Sequence, residues 1–119
     1  MDEAVEMDDV ARIDAIAGEI AAERRRQVTR WGRQDHPSVG PAGTEPFRPV
    51  VERWRAVNDA RMDSGAHSWD AILLEEVFEA LVESDPARRR AELVQVAAVA
   101  AAEIEAIDRA AATSAGGAR

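Results

Sequence analysis

A chain of 119 residues has room for one modest core, and we read residues 1–119 as a single domain. With 46% hydrophobic residues, many of them Ala, but only 4% aromatic ones, the composition suits closely packed helices better than a β-sandwich, so an all-α fold is expected. A net charge of −8 argues against a partner such as a nucleic acid polymer, and the lack of cysteine excludes disulfides and thiolate metal sites.

The N-terminal run MDEAVEMDDV is acidic and has neither the basic region nor the apolar core of a secretory leader. The one apolar run long enough to cross a bilayer is the Ala-rich last helix, and it carries Glu92, Glu103, Glu105 and Asp108. A soluble, cytoplasmic protein without a membrane partner is therefore expected.

Over residues 9–31, Val10, Ile13, Ala17, Ile20, Val28 and Trp31 recur within one broad helical stripe, and Gly32 is a natural stop. Pro37, Pro41, Pro46 and Pro49, with Gly32, Gly40 and Gly43, then predict a long loop over 32–49. A second helix over 50–62 aligns Val50, Trp54, Val57 and Arg61 and ends at Asp63-Ser64-Gly65. Ser68 is placed to cap a third helix over 69–83, whose core face is Leu74, Val77, Phe78 and Leu81. Asp85 followed by Pro86 opens a fourth helix to about residue 111. Residues 1–8 and 113–119 read as frayed ends.

The fourth helix is apolar around nearly its whole circumference, through Leu93, Val94, Val96, Val99, Ile104 and Ile107 with Ala between them. A helix apolar all round is buried all round, and three partner helices from so short a chain hardly cover it. A homodimer or higher homo-oligomer is expected, with this helix near the interface.

Two acidic pairs at helical spacing carry the chemistry. Glu76 and Glu79 share a face of the third helix with Glu83, beside Trp69 and Ile72, and Glu92 and Gln95 share a side of the fourth with Val96 and Val99. If the helices pack antiparallel across Ser84-Asp85-Pro86, three carboxylates and an amide converge, which suits a hard cation such as Mg2+. The alternative is neutralisation by Arg24, Arg26 or Arg88 to Arg90 in ordinary ion pairs. Arg88 to Arg90 stand in a first helical turn, where the dipole disfavours cations, so they call for an acidic partner, a phosphate or full solvation. His36 and His67 are isolated and make no metal motif.

Glu76-Val77-Phe78-Glu79 and Glu92-Leu93-Val94-Gln95 resemble the ExxE, spacer, ExxD pattern of the MazG-like all-α nucleoside triphosphate pyrophosphohydrolases. The ordered blocks ERRRQVTRWGRQDHP, HSWDAILLEEVFEAL and ELVQVAAVAAAEIEAI resemble the small members of that family from actinobacteria and their phages, and the resemblance covers most of 23–107. It implies an oligomeric four-helix bundle that binds Mg2+ and cleaves a nucleoside triphosphate between the α and β phosphates, giving the monophosphate and pyrophosphate. Glu76, Glu79, Glu92 and Gln95 would be metal ligands, with Glu76 and Glu79 catalytic and Glu79 positioning the attacking water. Arg24, Gln27, Arg30, Trp31 and Gln34 would contact phosphates or the base. Gln95 departs from the motif's Asp: its amide oxygen still coordinates Mg2+ but brings no negative charge. That departure motivates the alternative of a catalytically weak nucleotide-binding or interaction protein on the same scaffold.

Overall fold

The computed structural model describes residues 3–37 and 41–117. It is all-helical: α1 (Glu3–Trp31), a single turn α2 (Pro41–Thr44), a 3₁₀ turn (Glu45–Phe47), α3 (Arg48–Ser64), α4 (Trp69–Val82) and α5 (Pro86–Gly117), with no strand among the described residues. The helix ends follow local chemistry. The Gly32 N–H donates to Val28 O at 2.7 Å as α1 stops, and Ser68 Oγ accepts from the Ala71 N–H at the start of α4. At the start of α5, Asp85 Oδ2 accepts from the Arg88 N–H at 2.9 Å. Gly65, at φ 73°, closes α3: its N–H reaches Met62 O and the Ala66 N–H reaches Arg61 O, the paired bonds of a Schellman motif.

Three stretches differ from the sequence reading. Residues 3–8 and 113–117, expected as frayed ends, are helical, because extending an existing helix adds a hydrogen bond for each residue fixed; Met1, Asp2, Ala118 and Arg119 lie outside the described residues. The loop expected over 32–49 is irregular only in part. Pro41 opens α2, and Pro46 and Pro49 stand second in the 3₁₀ turn and in α3, positions where a missing N–H costs no intrahelical bond. Residues 38–40 of that loop lie outside the described residues.

The chain divides into two compact units, Met1–His36 with Ala101–Arg119, and Pro37–Ala100. The second is built on α3 and α4. Arg61 Nη1 donates to Ser68 Oγ (2.9 Å), Asn58 Nδ2 to Ala71 O (3.0 Å) and to Glu75 Oε1 (3.1 Å), and Arg55 Nε to Glu79 Oε1 (3.0 Å). Earlier residues of α3 meet later residues of α4, so the two form an antiparallel hairpin. Val51, Ala71 and Ala80 are buried in it, and burying a valine side chain contributes roughly 1.5–3 kcal/mol. Phe78 of α4 meets Phe47 of the 3₁₀ turn with ring centroids 5.9 Å apart. Leu74, Val77 and Leu81 of the expected core face are half-buried.

In the first unit Ile16 of α1 is buried, while Val10, Ile13, Ile20, Val28 and Trp31 of the expected stripe are exposed. Leu93, Val94, Ile104 and Ile107 of α5 are exposed as well. No helix among the described residues is long and apolar enough to cross a membrane.

Candidate functional site

One face of α4 gathers Glu75, Glu76 and Glu79, three half-buried residues each offering a carboxylate oxygen within 4.8 Å of the others. Successive helical residues are about 100° apart, so positions 75, 76 and 79 fall within an arc of about 100°. Two of the acids are held from α3. Asn58, only 7% exposed, fixes Glu75 through Nδ2, and its main-chain carbonyl accepts from His67 Nε2 at 3.2 Å. Arg55 fixes Glu79. Asn58 Oδ1, on the same amide, is buried without a hydrogen-bond partner among the described residues.

Glu76 is the member under electrostatic load. Its carboxyl is held above the ordinary carboxylate range, first by burial and then by the charges of Glu79, Glu92 and Glu75. Glu92 of α5 thus stands close enough to Glu76 to press on its charge. Such a group is relieved by a proton or by a shared cation, and oxygen donors alone suit a hard one.

Beside the acids lies a cleft of about 360 Å³, within the second unit, whose walls include Arg48, Glu52, Arg55, Glu79, Arg88 and Glu92. A hollow of about 220 Å³, lined by Asn58, Met62, His67, Ile72 and Glu75, borders the same acids. The group therefore adjoins two openings of different character, one largely ionic and one with apolar walls.

Of the residues singled out in the sequence, Glu76 and Glu79 come together, with Glu92 in electrostatic reach of Glu76. Gln95 is exposed on α5, and beside the acids on α4 Trp69 is exposed and Ile72 half-buried. Glu75 was not singled out, although an acid adjacent to Glu76 and four residues before Glu79 fits the same face. Arg24, Gln27, Arg30, Trp31 and Gln34 belong to the other compact unit. There Arg24 Nη1 donates to Gln27 Oε1 at 2.6 Å, and the Arg30 guanidinium lies 5.0 Å from the centre of the Trp31 ring, which is 56% exposed.

Of the arginines considered as counter-ions, Arg24 bonds Gln27, Arg26 pairs with Glu23, and Arg88 pairs with Glu83, the acidic partner its first-turn position calls for. The cation on the acidic group is Arg55, which no helical spacing marks out. No protein-family model, curated protein or solved structure matches the chain.

Proposed function

We propose that the protein is a Mg2+-dependent nucleoside triphosphate pyrophosphohydrolase of the MazG-like type, acting on the cytoplasmic nucleotide pool and releasing a nucleoside monophosphate and pyrophosphate. The observation that carries this reading is the group of three half-buried carboxylates on α4, loaded further by Glu92 and adjoining an arginine-walled cleft. Like charges this close fit a site that takes a divalent cation, and the orphaned Asn58 Oδ1 fits an arrangement completed by something further.

Glu75, Glu76, Glu79 and Glu92 would hold the ion, with Gln95 the outermost candidate. Mg2+, when bound, supplies neutralisation of phosphate charge and a lowered pKa for coordinated water. Glu79 would orient the water that attacks phosphorus; the new P–O bond forms as the αβ bridging bond breaks, and pyrophosphate leaves. Glu76 would accept the proton of that water.

The proposed architecture is an oligomeric four-helix bundle built from the four long helices. Its support is the exposed apolar side chains of α1 and α5, Trp31, Leu93, Val94 and Ile107 among them. A second reading, a nucleotide-binding protein with little turnover, is favoured by Gln95 at the motif's acidic position. Pyrophosphate release from a panel of ribo- and deoxynucleoside triphosphates with Mg2+ tests the enzyme directly. Release from at least one member is expected, and none across the panel sinks it.

A further inference from the structure

We propose that the cleft walled by α3, α4 and the start of α5 receives the polyphosphate chain of a nucleoside triphosphate, and that Arg55 changes partners as it does so, leaving Glu79 for a phosphate oxygen. This rests on the reading of Glu75, Glu76 and Glu79 as metal ligands.

The charges of the cleft carry the argument. Arg48, Arg55 and Arg88 stand against Glu52, Glu79, Glu83 and Glu92, so a polyanion meets no net attraction while the carboxylates are bare. A divalent cation on Glu79 and Glu92 reverses that balance. Each cleft arginine is tied to an acid: Arg48 to Glu45, Arg88 to Glu83 and Arg55 to Glu79. Only the partner of Arg55 belongs to the metal-holding group, so Arg55 is the arginine that cation binding sets free.

The side chains suit the exchange. Arg55 is 53% exposed and engages Glu79 through Nε, while Glu79 is only 18% exposed. The guanidinium has further N–H donors for a phosphate, with which it forms paired bonds. The cleft is lined mainly by charged residues, with only Val51 and Val82 apolar, so it suits phosphates rather than a base. Asn58, which holds Glu75 and lines the neighbouring hollow, keeps a second polar atom, Oδ1, buried and without a hydrogen-bond partner among the described residues.

Cation and polyphosphate therefore bind with mutual assistance, and one substitution should move their affinities in opposite directions. Titration calorimetry on the full chain would use Mg2+ alone, then tripolyphosphate and a non-hydrolysable nucleoside triphosphate at saturating Mg2+. Arg55→Gln removes the competitor for Glu79 and should tighten Mg2+ binding by about two- to five-fold, the strength of a half-exposed ion pair. The same variant should weaken both polyphosphate ligands by about ten-fold or more, as expected for a lost arginine–phosphate contact. Arg55→Lys should recover part of that loss, and Arg53→Gln, on an exposed position of α3 outside the cleft walls, should change neither affinity.

Unchanged affinities in Arg55→Gln, weakening of all ligands together, or a loss confined to the nucleotide would each overturn the proposal. A wild-type chain that gives no heat with Mg2+ defeats the metal reading itself. That result is distinct from a wild type that binds every ligand indifferently to Arg55.

Discussion

Asn58 offers the sharpest test of how the acidic group is held. Its Nδ2 is the donor shared by Ala71 O at 3.0 Å and Glu75 Oε1 at 3.1 Å, in a residue only 7% exposed. Asn58→Asp preserves shape while replacing that donor by an acceptor, setting a carboxylate against another carboxylate and a carbonyl. An uncompensated buried charge of this kind costs about 3–5 kcal/mol. For a chain of 119 residues, ~1 kcal/mol corresponds to about 4 °C in Tm, so the variant should melt about 12–20 °C below wild type at pH 7.5. The new carboxyl has its pKa raised by folding, so its penalty is absent below the unfolded value of about 4 and grows as pH rises through the folded value. Urea titrations followed by helical circular dichroism at pH 7.5 and pH 4 measure both limbs. Equal stability of variant and wild type at pH 7.5 would refute the claim that a buried donor organises Glu75.

Glu76→Gln should raise Tm at pH 7.5 in metal-free buffer, because the carboxyl it removes is penalised by burial and by Glu79, Glu92 and Glu75. Glu76 has a raised folded pKa, so its contribution is fully present below the unfolded value and is lost as pH rises through the folded one; the gain should vanish by pH 4. The same variant should lose the stabilisation that Mg2+ gives wild type, about 2.7 kcal/mol at a concentration 100 times Kd; a variant still stabilised in full would remove Glu76 from the ligand set. Gln95→Asp should raise kcat several-fold in a pyrophosphate-release assay if Gln95 is a degraded ligand position, whereas unchanged turnover would favour the binding-protein reading. Leu93→Glu combined with Ile107→Glu should convert a sedimenting oligomer to monomer; an unaltered mass would take α5 out of the interface.

The helix ends at Gly32, Gly65, Ser68 and Asp85-Pro86 were legible in the sequence because capping is settled by neighbours within a turn. The prolines of 32–49 were not, since a proline that breaks one helix and a proline that opens another look alike until the following residues commit. Glu76 and Glu79 were readable from spacing alone, and Glu75, at i, i+4 from Glu79, was equally legible on the same grounds. Arg55 and Asn58 could not be found this way: their partners are 24 and 17 residues along the chain, and the pairing depends on the register between α3 and α4. The expected stripe of α1 is a true helical stripe, yet periodicity reports only that a face is apolar, and here most of it is exposed.

The bonds from Arg61, Asn58 and Arg55 to Ser68, Ala71, Glu75 and Glu79 act as a ratchet with its teeth engaged. Sliding α3 by one helical turn, 5.4 Å, would release all of them together and leave Asn58 buried beside unmatched acceptors. Intermediate slips are therefore disfavoured, and the hairpin should open or close as one cooperative unit whose amides exchange with solvent together. Glu75 and Glu79 take their anchors from the partner helix, so closing the hairpin fixes the side chains of a carboxylate group that α4 alone brings to one face.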